Sequence, residues 1–156
     1  MKSILLFILL TASLLALDFD KLVTQIKVHE GFSSTIYKDR SGLAIGYGTN
    51  LASITKAEAH LLLIHRLSNR ITTLSQYPWY RKLSDTRKSV IISMAYQLGP
   101  NGLLKFKKMI WALNRGYYNG AANQMIDSLW YQQSGNRSKE LVQIMKEGVN
   151  NVEIVK

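Results

Sequence analysis

Cysteine is absent from this 156-residue chain, which excludes disulfides and thiolate metal centres. Histidine is nearly absent too. His29, His60 and His65 are the full set, and none pairs with carboxylates at metal-ligand spacing, so they read as ordinary helix-face residues. No P-loop or dinucleotide fingerprint occurs, nor any internal repeat, low-complexity tract or long linker. Neither a metal nor a cofactor is expected. Acidic residues are few, 10 against 20 Lys and Arg, for a formal charge of +10. That sign suits an anionic partner: nucleic acid, anionic lipid or an anionic polymer. The nucleic-acid option lacks a recognition motif, and no nucleic-acid partner is expected. An apolar run of the ~20 residues needed to span a bilayer is also missing. At this length the chain makes one domain, of one or two lobes, with room for a real core.

Against that background residues 29–51, HEGFSSTIYKDRSGLAIGYGTNL, stand out. Glu30 is followed at once by Gly31, and Asp39 comes nine positions later, ahead of Gly42, Gly46 and Gly48. Upstream, Phe19, Leu22, Val23 and Ile26 recur at helical spacing, and Glu30 falls at the next step of that apolar stripe. Asp18 or Asp20 supplies a start and Gly31 a stop. The pattern predicts a helix whose last turn carries Glu30 on its inward face, where partial burial and the negative end of the helix dipole both disfavour an ionised carboxyl. Asp39 falls in a polar turn with Lys38, Arg40 and Ser41, whose cations favour its charged form. Two carboxylates in opposed settings, beside backbone that a ligand can approach closely, are the minimum equipment for cleaving a glycosidic bond: one acid, and one base or electrostatic partner. The spacing taken alone also fits a solvated or Arg-paired glutamate at a helix end, and glycines that mark only a bulge or bend.

The motifs then accumulate in order. Glu30-Gly31, Tyr37-Lys38-Asp39, Gly42 and Ile45-Gly46-Tyr47-Gly48 are followed near the C-terminus by Tyr96-Gln97-Leu98-Gly99 and by Trp130-Tyr131 with Asn136-Arg137. This series resembles the phage-type lysozymes, a muramidase family, in its Glu-Gly helix end, Tyr-x-Asp hairpin, Ile-Gly-x-Gly strand, aromatic-Gln-x-Gly helix end and Trp-Tyr…Asn-Arg segment. The resemblance covers nearly everything after residue 17. Two departures stand out. Ala44 takes the place of the Thr that helps the family hold the attacking water, in a segment one residue short between Gly42 and Ile45. Thr49 takes the place of the family's His.

The resemblance implies an α+β fold, mostly helical: a small helix and β-hairpin lobe (18–54), a connecting helix (55–75), and a helical lobe (76–150), with an active-site cleft between the lobes. It implies hydrolysis of the β-1,4 bond between N-acetylmuramic acid and N-acetylglucosamine of peptidoglycan by a monomer. Glu30 would protonate the leaving oxygen, and Asp39 would steady the oxocarbenium-like centre and orient or activate water, an inverting arrangement if the two carboxyl groups are far enough apart. Arg137 would pair with Glu30, and Asn50, Tyr96, Gln97 and Gln124 would line the sugar cleft. Two alternatives stay open: a lytic transglycosylase, in which the muramic 6-hydroxyl replaces water, and an inactive wall-binding accessory protein.

Elsewhere the pattern is helical. Thr55-x-x-Glu58 is a capping box opening a helix to about Leu74, with Leu61, Ile64, Leu67, Ile71 and Leu74 on one side. Pro78-Trp79-Tyr80 breaks the pattern. Ser84 or Asp85 starts a helix through Val90, Ile91, Met94, Ala95 and Leu98 that Gly99-Pro100 ends. Another is defined by Leu103, Phe106, Ile110 and Leu113 and stopped by Gly116, and two more are expected near 119–133 and 136–147. Met and aromatic positions read as core, and Lys105, Lys107, Lys108 and Arg115 as the wet face of a helix. Residues 1–17 pair a basic start with an apolar stretch from Ile4 to Leu17, too short for a span but fitting a signal peptide. Leu14-x-Ala16 is an imperfect cleavage site, and a signal-arrest-release anchor is the alternative. Both place residues 18–156 in the periplasm, with membrane contact only through this leader. Lys2 is the one charged residue of the leader, so most of the positive charge would meet the anionic wall.

Overall fold

The computed structural model describes residues 18–149, which fall into two compact units divided between Glu58 and Ala59. The predicted leader lies outside the described residues. In the first unit, helix α1 spans Phe19–Glu30. Asp18 caps it, its side chain accepting from the Lys21 N–H at 3.0 Å. Gly31, at φ 66°, ends it, and its N–H returns to the Lys27 carbonyl at 3.1 Å. Only a residue without a Cβ takes that backbone angle at little cost. Three antiparallel strands follow in the order β1-β2-β3: Ser33–Lys38, Leu43–Gly46 and Thr49–Asn50. Tyr37 pairs with Ala44 and Lys38 with Leu43, with an irregularity between Ser33 and Tyr37, while Ala44 also faces Asn50 across β3. Ala44, at the centre of the sheet, is the one buried side chain of this unit among the described residues. A 3-10 turn, Leu51–Ser53, leads out of the sheet.

Helix α2, Lys56–Leu74, opens on the expected capping box. The Thr55 N–H and hydroxyl donate to Glu58 Oε2 at 2.8 and 2.7 Å, and the Glu58 N–H donates back to Thr55 Oγ1 at 3.2 Å. The predicted apolar side is covered only at its far end: Leu74 is buried and Leu67 half-buried, whereas Leu61, Ile64 and Ile71 are exposed.

The second unit holds the core. Pro78-Trp79-Tyr80 does not merely interrupt the pattern. It forms a one-turn helix, α3 (Pro78–Arg81), because proline's fixed φ suits a first helical position where no N–H is needed. Trp79 and Tyr80 are buried through it. Helix α4, Asp85–Leu103, runs through the centre, with Val90, Ile91, Met94 and Ala95 fully buried. Ser84 caps its start, and Gly99 (φ 71°, ψ 160°) breaks it before a short second segment from Pro100. Helix α5 is Lys107–Asn114 and α6 is Tyr118–Ile126. The single helix expected near 119–133 is two, α6 and α7 (Leu129–Gln133). Ser128 separates them: its hydroxyl donates to the Met125 carbonyl at 2.6 Å and accepts from the Tyr131 N–H at 3.2 Å, closing one helix and capping the next. Helix α8, Asn136–Glu147, buries Leu141, Val142, Ile144 and Met145 and ends on Gly148 in the left-handed region. The chain is thus mostly helical with one small antiparallel sheet, an α+β fold.

Candidate active site

Glu30 is the last residue of α1, and the same Gly31 that stops the helix turns the chain into the sheet. The Phe32 ring then packs on Tyr47, centroids 5.3 Å apart, and Lys27 Nζ lies 5.6 Å from the Tyr47 centroid. These contacts tie the end of α1 to the β2–β3 turn. Gly48 lies in that turn at φ 76°, and a Cβ placed on it would stand 3.0 Å from Glu30 Oε2. The carboxylate therefore lies beside the space a side chain at position 48 would fill, and even a Cβ there would crowd it. The expected partial burial of Glu30 is not found: the residue is exposed and no residue of α1 is buried. The sheet presents glycine backbone to it rather than apolar side chains.

Asp39 occupies the β1–β2 turn. Its Oδ1 accepts three hydrogen bonds, from the Ser41 N–H and hydroxyl at 2.7 Å each and from the Gly42 N–H at 3.0 Å. Its own N–H donates to the Gly42 carbonyl at 2.9 Å. Its pKa is lowered from 3.8, chiefly by the Ser41 hydroxyl, then by the Ser41 N–H, against slight desolvation and with help from the Gly42 N–H. The expected direction holds, but its cause is this hydrogen bonding rather than the flanking cations Lys38 and Arg40. Asn50 lies across the turn. Its Nδ2 donates to the Ser41 carbonyl at 3.2 Å and to Ser41 Oγ at 3.3 Å, while its Oδ1 accepts from the Ala52 N–H at 2.8 Å. Sequence reasoning placed Ser41 in the turn without seeing that it holds Asp39.

The remaining predicted residues lie in the second unit. Tyr96 is exposed on α4. Beside it, Gln97 Oε1 accepts from the indole N–H of buried Trp130 at 2.9 Å, which joins the two aromatic-Gln and Trp-Tyr motifs. Arg137, near the start of α8, donates to Ser93 Oγ of α4 at 2.8 Å. Gln124 lines a pocket of about 500 Å³ with Lys107, Lys108, Trp111, Tyr117 and Gly120. Trp111 and Tyr117 are exposed, which corrects their reading as core. The sequence carried a signal for this: neither falls on the Phe106, Ile110, Leu113 stripe. Among the described residues no group of three His, Asp or Glu is placed to hold a metal ion.

A helix ending in Glu-Gly, a hairpin turn built around an aspartate and a glycine strand returning to the glutamate define the class of protein. The chain matches the phage lysozyme family over residues 27–146 and belongs to it. It is 30% identical over 102 residues to the probable T4-type lysozyme 1 of Dictyostelium discoideum, covering 63% of this chain and 60% of that one. Over 103 residues it is 30% identical to the pre-baseplate central spike protein Gp5 of Enterobacteria phage T4, covering 64% of this chain and 18% of that one. The chain thus spans less than two thirds of the length of these curated relatives.

Proposed function

We propose that this protein is an endolysin that hydrolyses the β-1,4 bond between N-acetylmuramic acid and N-acetylglucosamine in peptidoglycan. The observation that carries the reading is the placement of two carboxylates of the family's motif. Glu30 lies beside the side-chain space that Gly48 leaves empty, with its carboxyl open to a ligand, and Asp39 is held in the β1–β2 turn by hydrogen bonds that favour its charged form. In this mechanism Glu30 gives its proton to the leaving glycosidic oxygen as the bond to the anomeric carbon breaks. Asp39 stabilises the positive charge developing on the sugar and orients the water that attacks it. One water adds at the anomeric carbon to give a reducing muramic end, and N-acetylglucosamine leaves with a free 4-hydroxyl. Gln124, with the faces of Trp111 and Tyr117, offers the aromatic and amide surface on which sugars rest. Tyr96 and Gln97 offer a further aromatic and amide surface for the saccharide, and Arg137, which donates to Ser93, steadies α8 against α4 behind it. The high positive charge draws the enzyme to an anionic wall, and residues 1–17 direct export, by cleavage or as a releasable anchor.

Glu30→Gln keeps the shape and removes the proton. It should lower clearing of purified peptidoglycan by at least ~10²–10⁴-fold with an unchanged circular dichroism spectrum. Near-normal clearing by the folded variant would end the muramidase reading. Mass spectrometry of the digest separates hydrolysis from transglycosylation, since 1,6-anhydro ends are lighter by one water. A digest dominated by anhydro ends would replace the hydrolase with a transglycosylase while keeping Glu30 as the acid.

A further inference from the structure

Asp39 is held entirely through one of its two oxygens. A carboxylate oxygen offers about two lone-pair directions, and Oδ1 already takes three donors within 3.0 Å. Among the described residues none donates to Oδ2. Rotating the carboxylate would break all three bonds at once, so the group has a fixed and a free end.

The proton directions behind this follow from bonding rules. Asn50 Oδ1 accepts from the Ala52 N–H, which fixes the amide with Nδ2 toward Ser41. Nδ2 can only donate, so Ser41 Oγ accepts a hydrogen bond from Asn50 and directs its own hydrogen to Asp39. The result is a relay from Asn50 to Ser41 to Asp39 in which each bond polarises the next. It links β3 to the β1–β2 turn across nine residues of sequence.

We propose that Ser41 and Asn50 are positioning residues of this enzyme: Asn50 fixes the Ser41 hydroxyl, and Ser41 fixes Asp39 so that Oδ2 alone faces the glycosyl centre and its water. The proposal rests on the two-carboxylate reading above. It gives Asn50 a task other than the sugar contact that the family resemblance implies. Charged groups do not do this work. Lys38 and Arg40 flank Asp39 on the turn, Glu30 ends the neighbouring helix and β3 contributes only neutral Asn50. The one ion pair within 4 Å among the described residues joins Lys88 and Asp85.

The test uses the full chain carrying Ser41→Ala, Ser41→Thr or Asn50→Ala, each alone and combined with Asp39→Ala. Turnover and KM on uncrosslinked glycan strands are measured across pH, with a thermal melt of every variant. Ser41→Ala and Asn50→Ala should lower kcat roughly 10- to 100-fold, the scale of a small misplacement of a reacting group, with KM changed by no more than about twofold. Ser41→Thr, which keeps a hydroxyl, should recover most of the loss and also serves if the alanine variant fails to fold. The acid limb of the Ser41→Ala profile should move to higher pH, and neither substitution should lower the residual rate of Asp39→Ala further. Where that residual rate is too small to compare, the pH limb decides. A raised KM with intact kcat in Asn50→Ala would make it a sugar contact and overturn its assignment. Losses that multiply with Asp39→Ala, or an unmoved acid limb, would overturn the relay. If Asp39→Ala is inactive while folded Ser41→Ala is fully active, this proposal alone falls. If Asp39→Ala is fully active, the two-carboxylate reading falls and takes the relay with it.

Discussion

Gly48 shows how much depends on a missing atom. Its backbone sits at φ 76°, and its absent Cβ leaves the 3.0 Å approach that Glu30 Oε2 occupies. Gly46 has a similar angle, φ 69°, yet a Cβ there would meet nothing within 4 Å. Alanine at either position adds backbone strain of about 1–2 kcal/mol, but only Gly48→Ala also displaces the carboxylate. Thermal melts should shift comparably for the two variants, while wall clearing falls much further for Gly48→Ala. Equal activities would mean that the Glu30–Gly48 contact does not set the acid's position. Acid stability follows from two carboxylates. Asp39 and Glu58 both have lowered pKa values, from 3.8 and 4.5, Glu58 through the Thr55 N–H and then its hydroxyl. A depressed carboxylate contributes stability that is present above its unfolded value and lost as pH falls through its folded value. The Glu58 contribution therefore begins to fall below 4.5 and the Asp39 contribution below 3.8, each continuing through its lower folded value. Glu58→Gln, which no longer titrates, should flatten the acid side of a melting-temperature profile, and an unchanged slope would remove Glu58 from the account.

At the scale of elements, Arg87 joins the start of α4 to the end of α8. Its Nε donates to the Met145 carbonyl at 2.9 Å, its Nη2 to the Lys146 carbonyl at 3.1 Å, and its guanidinium lies 3.7 Å from the centre of the Tyr118 ring. These bonds meet carbonyls that the last turn of a helix leaves unpaired. Arg87→Met keeps the length of the stem and should cost about 2–4 kcal/mol in denaturant unfolding, against the 1.5–3 typical of a single bond to a charged group. A loss below about 1 kcal/mol would show that water replaces the guanidinium without penalty. The sequence made the ends of elements legible wherever the signal was local. Asp18 before α1, the Thr55–Glu58 box and Gly99-Pro100 all act within a turn or two of themselves. It did not reveal Arg87, whose partners lie nearly sixty residues away, or the split between α6 and α7, which depends on one serine serving both helices. The candidate site divides in the same way. Glu30 and Asp39 were legible because their motif is contiguous. The Asn50–Ser41 link was not, since it follows from the pairing of β3 with β2, which no local spacing rule supplies.

For the whole molecule, burial is uneven. The core cluster runs from Leu74 to Met145 and lies in the second unit, whereas the first has Ala44 as its one buried side chain among the described residues. Amides of α4 around Val90 to Ala95 should therefore exchange slowest with deuterated solvent and those of β1 and β2 much faster, because local opening is cheapest where little apolar surface is covered. Uniform protection across both units would refute this. The charge has its own expected outcome: binding to wall fragments should weaken steadily as salt rises from about 0.05 to 0.5 M, as screening shortens the reach of the field. The unevenness of the core also bears on how such an enzyme ages. On the two-carboxylate reading proposed above, chemistry is carried by the part with the smallest reserve, and bulk helix content by the part with the largest. A warmed sample would fall silent before it looked denatured, regaining its lytic power on cooling as long as the helices had kept their shape. For this protein a spectroscopic melting point would overstate the temperature up to which the proposed lytic activity survives.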